Sequence, residues 1–101
     1  MKISLLHLPV LPENVEEVVT CYQGQDILDV SGCSAAWLSY DEASQVVVVT
    51  ALWVDDAAYE RWLEDPRRTS SGAGMLQWIS DIREVRSSSG EVLLAAGTLR
   101  L

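Results

Sequence analysis

Gln45-Val46-Val47-Val48-Val49-Thr50-Ala51-Leu52-Trp53-Val54 is the stretch on which the fold turns. Four consecutive valines show no polar alternation, and β-branched side chains suit a pleated strand better than a helix. A strand without a polar side needs cover on both faces, so residues 45–54 predict a central strand, covered by helices or by a second subunit. Even at full length the stretch falls far short of the roughly 20 apolar residues that cross a bilayer.

The chain around it follows the same logic in both directions. Upstream, Ala35 to Tyr40 reads as a short strand with Trp37, and the polar turn Asp41-Glu42-Ala43-Ser44 joins it to the valine strand as a hairpin. Further upstream, Ile3 to Val10 is of strand length and is closed by Pro9 and Pro12. Pro12 suits the opening of a helix, and Val15, Val18, Val19 and Tyr22 follow at helical spacing, with Gly24 as a stop. Ile27, Leu28 and Val30 form an irregular turn. Downstream, Asp55 or Asp56 caps a helix in which Ala58 pairs with Trp62 and Tyr59 with Leu63, one turn apart, until Pro66 interrupts it. Residues 67–74 are polar and glycine-rich and read as a flexible segment or pocket lid, after which Met75, Trp78, Ile79 and Ile82 resume helical spacing. Ser87 to Gly90 reads as a loop, and Glu91 to Leu101 as the last strand. The sum is one domain over residues 1–101, an α+β, ferredoxin-like βαββαβ unit with an antiparallel sheet.

Composition narrows the partners. Fifteen acidic against seven basic side chains give a net charge of -8, which repels nucleic-acid phosphates and anionic membrane surfaces. With no Phe among 101 residues, the four tryptophans supply much of the bulk of the core. No signal-peptide pattern or membrane span is present, so a cytoplasmic protein is expected. Cys21 and Cys33 read as reduced thiols, and one His with two Cys lacks zinc-site spacing, so no metal is expected.

Val49-Thr50-Ala51-Leu52-Trp53, Ala58-Tyr59-Glu60-Arg61-Trp62-Leu63, Asp65-Pro66 and Gly32-Cys33 together resemble the antibiotic biosynthesis monooxygenase family. The resemblance implies a homodimer whose sheets pack as a dimeric α/β barrel, with a pocket for a small apolar or aromatic ligand between sheet and helices. It implies either oxygenation of aromatic compounds without metal or flavin, or, in one branch, haem degradation. That branch keeps an Asn on the first strand, a Trp on the second helix and an iron-binding His ten residues later. Here His7, Trp62 and Gly72 stand at those places, so the iron ligand is missing and no cofactor is expected.

His7, the only imidazole, is the natural general base because its ordinary pKa lies near neutrality; the plainer reading is a strand histidine bonded to a neighbour. Trp62 joins it as a catalytic candidate, while Trp53, Tyr59, Trp37 and Trp78 are candidates for holding a flat ligand and equally for filling the core. Two functions follow: a cofactor-independent monooxygenase acting on a small aromatic or quinol, or a non-catalytic binding or structural dimer of the same fold.

Overall fold

The computed structural model of the chain describes residues 1–97. Strand β1 (Lys2–Pro9) leads through a 3-10 turn at Pro12–Asn14 into helix α1 (Val15–Gly24) and the single turn α2 (Ile27–Val30). The hairpin of β2 (Ala35–Asp41) and β3 (Val46–Trp53) follows, then α3 (Asp56–Leu63), α4 (Pro66–Met75), 3-10 turns at Leu76–Trp78 and Ile82–Glu84, and β4 (Arg86–Glu91). All neighbouring strands are antiparallel in the order β2-β3-β1-β4. This is the expected ferredoxin-like α+β arrangement, with the valine strand paired on both sides.

Local chemistry explains the joints. Asp41 Oδ1 accepts hydrogen bonds from the backbone N–H of Ala43 and Ser44, and Gln45 at φ 57 closes the hairpin turn. Asp55 caps α3 by accepting from Ala58 N at 2.9 Å.

Strand alternation divides the sheet into two faces. Across the ladders Leu8 meets Val47, and Leu6 meets Val49, which meets Leu38. This face carries the helices: Leu8, Val10, Val47 and Val49 form one core with Val18, Tyr22, Ile27 and Met75. A smaller cluster joins Ala36, Ala51 and Trp53 to Ala58 of α3. The other face presents Ile3, Leu5, His7, Trp37, Val48 and Leu52, all half-buried. On it Thr50 is only 6% exposed, between its cross-strand partners Leu5 and Trp37.

Three segments depart from expectation. Residues 67–74 are not a flexible segment but lie within α4, which starts with Pro66 at its first turn and Asp65 as cap, accepting from Arg67 N at 2.9 Å. Ser71 and Met75, four residues apart, are its buried stripe, so the helical signal was there but carried by a serine. The helical spacing of Met75 to Ile82 gives instead one 3-10 turn, a break at Ile79 and a second 3-10 turn capped by Asp81. The last described strand is Arg86–Glu91: the presumed loop Ser87 to Gly90 pairs with Leu6 to Ile3, while of the expected strand Glu91 to Leu101 residues 92–96 are outside any strand and 98–101 lie outside the described residues. On an exposed edge the backbone ladder decides pairing, and side-chain propensity yields to it.

Removing a core side chain should be costly where the helices press on the sheet. Leu8→Ala is expected to lower unfolding free energy by roughly 2–5 kcal/mol, and Val54→Ala, on a residue 66% exposed, by less than about 0.5 kcal/mol, both checked by urea denaturation.

Candidate functional site

Between the helical face of the sheet and α1, α3 and α4 lies a cavity of about 330 Å³. Its floor is strand: Ser4 and Leu6 of β1, Val49, Ala51 and Trp53 of β3. Tyr59 and Trp62 of α3 wall one side, and Arg68, Ser71, Gly72 and Met75 of α4 another. Tyr22 and Ile27 close it from below. The spacing of Tyr59 and Trp62 places both on one side of α3.

The floor is held by hydrogen bonding. Trp53, 2% exposed, donates from Nε1 to Ser4 Oγ at 2.8 Å, and its ring sits 5.4 Å from that of Tyr59 at 50°. Tilted rings at this separation match the preferred edge-to-face range. Lys2 reaches over the Tyr59 ring with Nζ 5.4 Å from its centroid and also pairs with Asp56 at 3.1 Å, which fixes the tyrosine from its outer side. Tyr22 is 6% exposed, and burial pushes its phenol up to about 12, with the positive charge of Arg68 pulling weakly the other way. It is therefore a neutral hydrogen-bond donor at any ordinary pH.

The sequence candidates divide. Trp62, Trp53 and Tyr59 meet in the cavity. Trp37 does not: it lies on the opposite sheet face and lines a wider depression of about 730 Å³ at the β2 edge, together with Cys33, Asp26 and Asp29. Trp78 packs against the main core from the side. His7, paired with Val48 and Arg86 across the ladders, also points to the face away from the helices. The role of general base in this cavity does not fit that placement, because alternation along β1 directs Leu6 and Leu8 inward and His7 outward.

Arg68, Ser71 and Met75 escaped the sequence reading because they fall in and beside a glycine-rich run. Their three- and four-residue spacing was the available signal. Gly72 lines the cavity, and a Cβ there would meet nothing within 4 Å, so the place where the haem branch keeps its histidine has room but no ligand. No imidazole or thiol lines this cavity, so the iron-binding histidine of the haem branch has no counterpart on its walls. Among the described residues no group of three His, Cys, Asp or Glu side chains is placed to hold a metal ion, and no helix is long and apolar enough to cross a membrane.

The geometry defines a small α+β domain with an aromatic-walled cavity between sheet and helices, and solved structures share that fold. A monooxygenase from the gene ActVA-Orf6 of Streptomyces coelicolor, in complex with the ligand nanaomycin D, superposes with a TM-score of 0.77 at 18% identity, over 97% of this chain and 92% of that one. An antibiotic biosynthesis monooxygenase superposes at 0.72 and 15% identity, over 93% of this chain and all of that one. Rv0793 from Mycobacterium tuberculosis does so at 0.70 and 11%, over 96% and 100%. The chain thus has the fold of antibiotic biosynthesis monooxygenases. No family model matches the sequence, and no curated protein is similar to it.

The Tyr22 phenol has a consequence at alkaline pH. Unfolded tyrosine ionises near 10 and the folded residue at about 12, so the unfolded chain releases this proton first. The stabilisation is complete below pH 10 and is lost as pH rises from 10 to 12, by about 2–3 kcal/mol in all. Denaturant unfolding followed across that window should show the decline in the parent chain and a smaller one in Tyr22→Phe.

Proposed function

We propose that this chain is a cofactor-independent monooxygenase that oxidises a small aromatic or quinol substrate with O2 in the cavity walled by Trp53, Tyr59 and Trp62. The observation that carries this reading is the convergence of those three rings on one mostly apolar cavity. The fold shared with a Streptomyces monooxygenase holding nanaomycin D supports it.

An electron-rich ring ionised at carbon or oxygen can pass an electron to O2 directly. In the oxidation of a doubly activated ring methylene, one oxygen atom becomes the carbonyl and the other leaves as water with the two methylene hydrogens. The substrate provides all four electrons, so no further reductant enters. The protein's part is to hold the ring flat and to exclude water, while Tyr22 and Ser4 present hydroxyls. With His7 on the other face, ionisation depends on the acidity of the substrate itself. Binding without turnover is the second reading, favoured by the same lack of a base along the cavity wall.

A second copy of the chain is proposed to cover the open sheet face, supported by the row Ile3, Leu5, Trp37, Val48 and Leu52 that the helices leave half-buried.

Oxygen uptake in the presence of anthrones and hydroquinones tests the activity. Trp62→Ala should weaken ligand binding roughly tenfold, and His7→Ala should leave turnover at about the parent rate. A loss of roughly 10²- to 10⁴-fold in His7→Ala would return that residue to the role of base. Tryptophan quenching by these compounds without oxygen uptake would favour the binder.

Sedimentation equilibrium should give twice the 11.1 kDa of one chain, and Val48→Asp, placed on the open face, should give the monomer with unchanged far-UV circular dichroism. An equal mass for both would reject that interface.

A further inference from the structure

The cavity inverts the charge of the molecule. The chain carries fifteen acidic side chains, yet none of them lines the cavity, and the one charged residue that does is Arg68. Cations elsewhere are taken up locally: Lys2 by Asp56, Arg67 by Asp65, Arg83 by Asp81 and Arg86 by Glu84, at 2.7–3.4 Å. Among the described residues Arg68 and Arg61 make no such pair, and Arg61 stands outside the cavity. Arg68 is solvent-exposed as well as cavity-lining, which puts the residue at the rim of the cavity.

The other polar groups of the lining are hydroxyls, all uncharged, and two of them have a proton to offer. The Tyr22 hydroxyl has no protein hydrogen-bond partner among the described residues. Ser4 Oγ already accepts from Trp53 and keeps its own hydrogen to donate. The cavity therefore offers one cation and neutral hydroxyls to whatever enters it, and no anionic acceptor.

From this complementarity we infer that the ligand is a flat apolar molecule carrying one oxyanion, a carboxylate or an ionised phenol or enol, and that Arg68 is the residue that recognises it. The inference rests on the reading of the cavity as a small-molecule site and specifies its ligand. A planar guanidinium suits this task because it can hold an oxyanion by two parallel hydrogen bonds while its face lies against an aromatic ring. Pairing with Arg68 also favours the ionised form of a phenolic or enolic substrate, which is the form that gives an electron to O2.

Two probes of equal size and shape, 2-naphthoate and 2-naphthamide, separate charge from hydrophobicity, with tryptophan fluorescence quenching as the readout. The parent chain should bind the naphthoate more tightly by roughly ten- to a hundredfold. That preference should fall to near parity in Arg68→Gln, survive in part in Arg68→Lys, and persist in Arg61→Gln, with folding of each variant verified by circular dichroism. Equal binding of both probes by the parent, or a preference that persists in Arg68→Gln, overturns the inference while leaving the cavity a ligand site. If neither probe binds up to its solubility limit, the cavity is not a small-molecule site and both readings fall.

Discussion

A buried indole cannot leave its N–H unpaired, and the bond from Trp53 to Ser4 meets that demand in a way that organises the molecule. It ties the end of β3 to the start of β1 across the centre of the sheet, with Ala51 opposite Ser4 in the ladder. With the indole held in place by this bond, α3 packs against it through Ala58 and Tyr59. The space left beyond the small residue Ala51 is the cavity. One hydrogen bond thus links register, helix seating and site.

The four-valine strand was legible because its message is redundant: β-branched residues without a polar side have few places to go in a small α+β domain. The hairpin turn and the Asp55 cap were legible for a similar reason, since short side-chain-to-backbone bonds demand particular residues at fixed offsets. β4 was misplaced because Arg86–Glu91 carries no apolar side chain toward the core, whereas Val92-Leu93-Leu94 looks like strand yet leaves Leu93 92% and Leu94 90% exposed. Edge pairing through the backbone leaves no mark on side chains.

Of the site, the aromatic trio was legible and the polar part was not. Trp53, Tyr59 and Trp62 stand out by type and spacing, but the direction of His7 depends on a parity along β1 that becomes certain only once the partner strands are in register. Arg68 is one of several exposed arginines in sequence. Its distinction arises from position, since its neighbours Arg67 and Asp65 form a fork-shaped pair at 2.7 Å and leave it out.

The polar edge strand also bears on how far such a chain can drift. Apart from Ser87, which reaches the cavity, and the surface pairs of Arg86 and Glu91 at its two ends, β4 holds its place through main-chain atoms, and its side chains are exposed along the whole length. Substitutions there leave the core untouched, so the strand can lose all resemblance to its counterparts while the sheet keeps four members. Structures that superpose over nearly the full chain at 11–18% identity are compatible with such freedom: in a fold of this kind the path of the backbone can be shared where the letters of the sequence are not.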